Sequence, residues 1–177
     1  MPPLRFTLGC SPPSLHADSG GGLIPSLDFA PVSMDRAEDR QAVMTLAARC
    51  QSADPGRHFA PAGLVAELTG RPGRAVHTWL AWPSGAVTRA AAGGCVDNGP
   101  LGLVALVAAG TKPQPRCSIA WLLVHPDARR RGIATALVAH AVAHAKSLGA
   151  TRVCAETLSS WPAAVGFWRS VGLQQES

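Results

Sequence analysis

Residues 121–148, WLLVHPDARRRGIATALVAHAVAHAKSL, constrain the fold more than any other part of the sequence. They overlap a short apolar run, 119–124, which Pro126 closes because proline cannot donate the next hydrogen bond of a ladder. Further on, apolar side chains recur three or four positions apart, which is the spacing of one helix face. The pattern predicts a buried strand, a turn and a helix that ends at Gly149. The apolar stripe of that helix is Ile133, Leu137, Ala141, Ala145 and Leu148.

The turn between this strand and this helix is suited to bind an anion. Three consecutive arginines, 129–131, are followed directly by Gly132. The first N–H groups of a helix lack intrahelical partners, and the helix start carries partial positive charge. Because Gly132 lets a ligand approach the backbone, the turn predicts a phosphate-binding site. The alternative interpretation is a basic turn that only faces solvent.

Three residues of this turn, Arg129-x-x-Gly132-x-Ala134, resemble the acetyl-CoA signature of the GNAT superfamily of N-acetyltransferases, which is (Arg/Gln)-x-x-Gly-x-(Gly/Ala). The preceding residues 124–127, VHPD, are similar to the strand end common in that family. A weaker resemblance extends from about residue 28 to the C-terminus. The resemblance implies an α/β fold with a mixed, twisted central sheet and helices on both faces.

The resemblance also implies a role for the turn, which would hold the pyrophosphate of acetyl-CoA, the co-substrate, through main-chain N–H groups. The signature strand would hold the pantetheine arm through main-chain groups where it separates from the next strand. An acceptor amine would attack the thioester directly, through a tetrahedral oxyanion, and would need a base to take its proton. The residues expected at the CoA site are Leu122, Val124, Arg129, Arg130, Arg131, Gly132, Ile133, Ala134 and Thr135.

The last predicted helix, 162–171, departs from the family pattern Asn-x-x-Ala-x-x-Phe-Tyr-x-x-x-Gly-Phe. Trp161 stands at the asparagine position and Trp168 at the tyrosine position, where the family has an acid for the departing thiolate. An indole N–H is no practical acid, and the chain contains no tyrosine, so Trp168 is either part of an altered site or a core side chain. Two functions stay open: an acetyl-CoA-dependent N-acetyltransferase for a primary amine, or a non-catalytic acyl-CoA-binding or regulatory protein. The residues that match the pattern are Ala164, Phe167 and Gly172.

The sequence does not identify a general base. Glu156, near the end of the strand predicted over 151–157, is the best-placed carboxylate, and a surface or cap role is its alternative. We expect Asp127 to order the turn and His77 to be a half-buried strand residue. We expect Cys154 to be a small buried side chain rather than a nucleophile.

His140 and His144 stand one helical turn apart, a spacing that can bind a metal ion. No glutamate follows His140, and the sequence suggests no third ligand. Both lie away from the apolar stripe, so we expect a solvent-facing pair and no metal site.

The length predicts one domain. Residues 1–27, rich in proline and glycine and without a sustained period, predict a flexible leader before a domain at 28–177. The resembled fold usually continues for one or two strands beyond the last helix. We therefore expect either a shortened sheet or one that another segment or a second subunit completes, as in a homodimer.

Ahead of the signature strand, the patterns predict strands at 27–32, 75–82 and 101–108, a helix capped by Ser33 that ends near Asp54, and a second helix at 61–68.

Charge and cysteine content indicate which classes of ligand and which cellular compartment fit this chain. The chain has 16 basic and 11 acidic side chains, a net charge of +5 that suits a polyphosphate ligand. Scattered arginines and few aromatic residues argue against a nucleic-acid binder, for which a steep salt dependence would be expected. Five widely spaced cysteines without a C-x-x-C pair are typical of reduced thiols in a cytoplasm. No apolar run reaches the roughly 20 residues of a membrane span, and the acceptor, a small-molecule or protein amine, has no motif.

Overall fold

The computed structural model describes residues 3–10, 26–54, 60–85, 99–110 and 115–176. Its strands are β1 (Pro3–Gly9), β2 (Leu27–Val32), β3 (Arg74–Pro83), β4 (Gly102–Ala109), β5 (Arg116–Val124), β6 (Arg152–Leu158) and β7 (Gln174–Gln175). Its helices are α1 (Ala37–Ala53), α2 (Pro61–Leu68), α3 (Ile133–Ser147) and α4 (Pro162–Ser170), and a 3-10 turn spans Pro126–Ala128. The strands form one sheet in the order β2-β3-β4-β5-β6-β1-β7.

The sheet is mixed, as the sequence predicts. Strands β5 and β6 are parallel, and every other neighbouring pair is antiparallel. Helix α3 connects the parallel pair, so strand, helix and strand form a βαβ unit. No helix within the described residues is long and apolar enough to cross a membrane.

Helices cover both faces of the sheet, and each face has its own apolar core. Helices α3 and α4 pack on one face, where Leu137 and Phe6 are fully buried. Helices α1 and α2 pack on the other face, where Leu46 and Leu64 are each 1% exposed. Burying one such side chain contributes roughly 1.5–3 kcal/mol, so these two layers hold the helices against the sheet.

The N-terminal strand corrects the prediction of a flexible leader over residues 1–27. Strand β1 pairs with β6 along its whole length, from Pro3 opposite Leu158 to Gly9 opposite Arg152. Apolar and polar residues alternate along it, and Phe6 at its centre lies in the core. The prolines and glycines that follow hide this short alternation in the sequence. Residues 11–25 of the predicted leader lie outside the described residues.

Strand β1 also shows how the sheet continues beyond β6. It lies between β6 and the two-residue strand β7, with Phe6 opposite Gln175 and Thr7 opposite Gln174. Of the arrangements that the sequence leaves open, the structure shows completion by another segment of the same chain. Both edges of β1 are therefore paired.

Helix α1 begins later than the sequence predicts. Its N-cap position is Arg36 rather than Ser33, and no side chain caps it. The carboxylate of Asp39 instead accepts hydrogen bonds from the Ser33 N–H at 2.8 Å and from Arg36 Nε at 3.0 Å. The acidic first turn therefore stabilises the preceding backbone as well as the helix dipole.

The prediction that His140 and His144 face solvent is wrong. His140 stacks on Phe29 with ring centroids 4.5 Å apart, and its edge meets Trp79 at 5.0 Å. His144 lies 4.7 Å from Trp79 and 4.6 Å from His77. Strands β2 and β3 therefore cover the helix face that bears these histidines. Among the residues described here, no three metal-ligating side chains lie close enough together to hold a metal ion.

Gly102 of β4 tests how closely α3 packs on the sheet. A Cβ added there would stand 2.8 Å from Leu137 Cδ1 and 2.9 Å from the carbonyl oxygen of Leu123. We expect Gly102→Ala to lower the free energy of unfolding by about 1–3 kcal/mol through overpacking, measured by urea unfolding. Gly63→Ala in α2 is the control, since its Cβ would meet nothing closer than 3.9 Å. That variant should range from neutral to about 1 kcal/mol more stable, because alanine favours helix. Equal losses in the two variants would contradict the packing.

The histidine cluster predicts a pH-dependent stability. Burial, and then the neighbouring His144, lower the pKa of both His77 and His140 below the usual 6.5. The folded protein therefore keeps these rings neutral, and protonation favours the unfolded chain. The contribution is complete above about pH 6.5 and is lost as the pH falls through that value towards the folded pKa values. Urea unfolding from about pH 8 to about pH 5 should show this decline. The decline should flatten in His140→Phe and persist in His125→Gln, outside the cluster.

Candidate active site

The parallel strands β5 and β6 separate part-way along their length. They pair only over residues 117–119 and 153–155, although β5 continues to Val124 and β6 to Leu158. A cleft of about 780 Å³ occupies the gap. Its walls are the two strand ends, the turn after β5, and helices α3 and α4.

A bulge in β5 changes which residues face the α3 layer. The register with β4 shifts between Ala105 and Leu106, and Ala120 has no partner in β4. Before the bulge Ile119 faces the core under α3, and after it Leu122 faces the same side. The one-residue insertion therefore directs the end of β5 towards the cleft.

The main-chain groups of Leu122 and Val124 face this gap. The N–H of His125 donates to the carbonyl of Leu101 at 2.8 Å, in register with the β4–β5 ladder. In an antiparallel strand, the main-chain N–H and C=O groups of successive residues point alternately to one neighbouring strand and to the other. The main-chain groups of Val124 and Leu122 therefore point away from β4. This is the orientation that the predicted contact with a pantetheine arm requires.

The turn before α3 contains two residues in the left-handed region. Arg130 has φ 61° and Gly132 has φ 76°, and Arg130 is the one non-glycine residue with positive φ in the described part of the chain. The first bond of α3 runs from the Ala136 N–H to the Gly132 carbonyl at 3.0 Å. The N–H groups of residues 133–135 thus precede the first helical bond and lie at the positive end of the helix. The geometry of such a turn can accommodate an anion.

The three consecutive arginines have different positions. Arg129 forms a bidentate ion pair with Asp54, with nitrogen–oxygen distances of 2.7 and 3.3 Å. Hydrogen bonding to Asp54 raises the pKa of Arg129 above its usual value, against the effect of burial. Arg130 is exposed and lines the cleft, whereas Arg131 is exposed and does not. All other residues predicted for the CoA site line the cleft: Leu122, Val124, Arg129, Gly132, Ile133, Ala134 and Thr135.

The two carboxylates that line the described part of the cleft are Asp54 and Glu156. Glu156 is 55% exposed and lies 3.2 Å from the Nε of Arg5, the residue opposite it in β1. Asp127, in contrast, is 89% exposed and outside the cleft, where its N–H donates to His125 Nδ1. No local pattern in the sequence marks Asp54 as a site residue, because its partner Arg129 is 75 positions away.

The tryptophans of the last helix border the cleft from the α3 side. Trp168 is 6% exposed, belongs to the core and packs on Phe167 with centroids 5.1 Å apart. Its ring therefore fills the core while part of it reaches the cleft wall. Trp161 lines the cleft one helical turn before Ala164.

The opposite wall connects the cleft to α2. Trp121 lines the cleft, and its Nε1 donates to the Glu67 carboxylate at 2.8 Å.

Cys154 does not line the described cleft, and burial raises the pKa of its thiol. It therefore stays in the thiol form, but the structure leaves it half-buried rather than buried as the sequence predicts.

A family model described as the Acetyltransferase (GNAT) family matches residues 44–173. The chain belongs to the GNAT acetyltransferase family. The match includes β5, the turn after it, α3, β6 and α4. No curated protein matches this sequence.

Solved structures of GNAT proteins share the fold. A tandem GNAT protein from the clavulanic acid biosynthesis pathway is 26% identical with a TM-score of 0.60, over 83% of this chain; the chain spans 43% of that protein. Aminoglycoside N-acetyltransferase AAC(6')-Iy, in complex with CoA, is 14% identical with a TM-score of 0.60, covering 86% of this chain and 91% of its own. Ribosomal-protein-alanine N-acetyltransferase from Brucella melitensis is 16% identical with a TM-score of 0.57, covering 82% of this chain and 90% of its own.

Proposed function

We propose that this protein transfers the acetyl group of acetyl-CoA to a primary amine of an acceptor in the cytoplasm. One observation carries the proposal: the gap between β5 and β6 leads directly to the start of α3. A strand edge with outward main-chain groups and a helix start with unbonded N–H groups therefore share one cleft. An amide-containing arm joined to a pyrophosphate matches both parts.

The residues of the cleft fit CoA as follows. Main-chain groups of Leu122 and Val124 would bind the pantetheine arm. The carbonyl of Val124 already accepts contacts from Cys50 Sγ and Arg129 Nε, each at 3.4 Å, so its N–H is the group left for the ligand. The N–H groups at the start of α3 and the guanidinium of Arg130 would bind the pyrophosphate.

The proposed reaction forms a C–N bond and breaks the C–S bond of the thioester. The attacking ammonium must first lose a proton, and we assign Glu156 as the base that takes it. Arg5 beside it fixes the orientation of the carboxylate. The departing thiolate takes a proton from water or from the acceptor nitrogen, because Trp168 is no acid and the chain has no tyrosine.

A non-catalytic acyl-CoA-binding or regulatory protein is the second candidate. The observation that favours it is Trp168, a core tryptophan where the family has its acidic tyrosine. The names of two similar structures give an aminoglycoside and a ribosomal-protein alanine as acceptors. We therefore propose an amine acceptor of either class, a small molecule or a protein.

Calorimetric titration with acetyl-CoA, followed by a screen of amines for thioester loss, tests both candidates. Binding with turnover of at least one amine supports the transferase. Binding without turnover of small amines or of N-terminal peptides supports the second candidate. Failure to bind at about millimolar ligand, a free energy weaker than roughly −4 kcal/mol, would overturn both.

Arg130→Gly separates ligand binding from folding. The variant removes a cation from the cleft and places glycine at φ 61°, where glycine is not strained. We expect roughly tenfold weaker CoA binding by calorimetry, from loss of a charged contact worth about 1.5 kcal/mol or more. Thermal unfolding should show equal or higher stability. Arg131→Gly is the control because Arg131 is outside the cleft, and an equal affinity loss there would refute the assignment.

Glu156→Gln tests the base. We expect kcat to fall by about 10²–10⁴-fold with little change in KM for acetyl-CoA, because the amide cannot accept the ammonium proton. Asp127→Asn serves as the matched control, since its carboxylate lies outside the cleft. Full activity in Glu156→Gln would remove Glu156 from the mechanism.

A further inference from the structure

We infer that Asp54 is a positioning residue of the CoA site, acting through Arg129 on the shape of the pyrophosphate turn. This inference rests on the proposed function, because it concerns the same cleft. Neither residue needs to contact the ligand for the effect.

The ion pair has the geometry of a specific contact. Both terminal nitrogens of Arg129 meet the two carboxylate oxygens of Asp54, and the side chains are 35% and 30% exposed. A partly buried bidentate pair is shorter, stronger and better oriented than a single surface contact. The pair therefore fixes the direction of the Arg129 side chain, and with it the residue that begins the turn.

The pair joins three elements at one point. Arg129 Nε also contacts the Val124 carbonyl at the end of β5, and Cys50 Sγ contacts the same carbonyl. Cys50 and Asp54 are one turn apart at the end of α1, where the Asp54 N–H donates to the Cys50 carbonyl at 3.1 Å. The end of α1, the end of β5 and the turn before α3 are thus fixed relative to one another.

Electrostatics and positioning predict opposite effects of removing Asp54. A carboxylate in an anion site repels pyrophosphate, so neutralising Asp54 and releasing Arg129 should strengthen CoA binding if charge alone decides. If the pair instead holds the turn, Asp54→Asn should weaken binding. We expect the second result, because the released Arg129 also loses its support for the Val124 carbonyl and for the turn.

The experiment measures Kd by calorimetry for CoA and for dephospho-CoA, which share the pyrophosphate. We expect Asp54→Asn to weaken both about tenfold, equivalent to roughly 1.4 kcal/mol, while the unliganded protein keeps its thermal midpoint. The exchanged pair Asp54→Arg with Arg129→Asp should recover part of the affinity, because it restores the ion pair with its charges reversed and so tests the coupling of the two residues. Arg36→Gln is the control, since it breaks a 3.0 Å pair with Asp39 near the other end of α1 and should change nothing.

Each outcome decides between the two proposals. If the unaltered protein does not bind CoA, both the proposed function and this inference fail. If it binds and Asp54→Asn binds equally or more tightly, only the inference fails. Should Asp54→Asn not fold, Arg129→Lys provides the test, because lysine keeps the charge and loses the two-pronged contact. The same tenfold loss would support the inference, and unchanged affinity would overturn it.

Discussion

The separation of β5 from β6 is the constraint on which the rest of the structure depends. Where two parallel strands part, main-chain donors and acceptors lose their partners, and leaving them buried and unbonded is costly. The bulge at Ala120 turns the end of β5, and the wide gap gives Leu122 and Val124 access to a ligand or to water. The fold therefore places strand ends that are not paired with each other beside a helix start whose first N–H groups have no intrahelical partner.

The charged side chains around this gap do not form one cluster, because two of the arginines pair with carboxylates and a third does not. Two cations, Arg129 and Arg5, pair with the carboxylates of Asp54 and Glu156, which both line the cleft. Arg130 then supplies the cationic side chain that faces the cleft without a carboxylate partner among the described ion pairs. A site of this kind combines one point charge with main-chain dipoles, which binds a pyrophosphate with less dependence on flexible side chains.

Local patterns predicted several elements well, namely β2, α2, and the strand, turn and helix of residues 116–147. Each of these has its own hydrophobic period and its own start and stop signals in the sequence. Patterns of this kind could not find contacts between distant segments. The sequence marks Asp54 only as the end of a helix, and its ion pair with Arg129 depends on the packing of α1. His140 lies off the apolar stripe of α3, yet the sheet extends far enough to cover it with Phe29 and Trp79. Strand β1 was hidden because its partner, β6, is almost a chain length away.

That last pairing has a consequence for the order of assembly. Strand β1 can pair only after β6 has been synthesised, because Phe6 lies opposite Ala155. Contacts so distant in sequence form slowly, because a long loop must close before they give any stability. Until then β6 has an open edge, and Arg5 is far from Glu156. Because β6 follows β5 and α3 directly in the chain, the βαβ unit can form before β1 is added to it. Glu156 gains its ion pair with Arg5 only when β1 is in place.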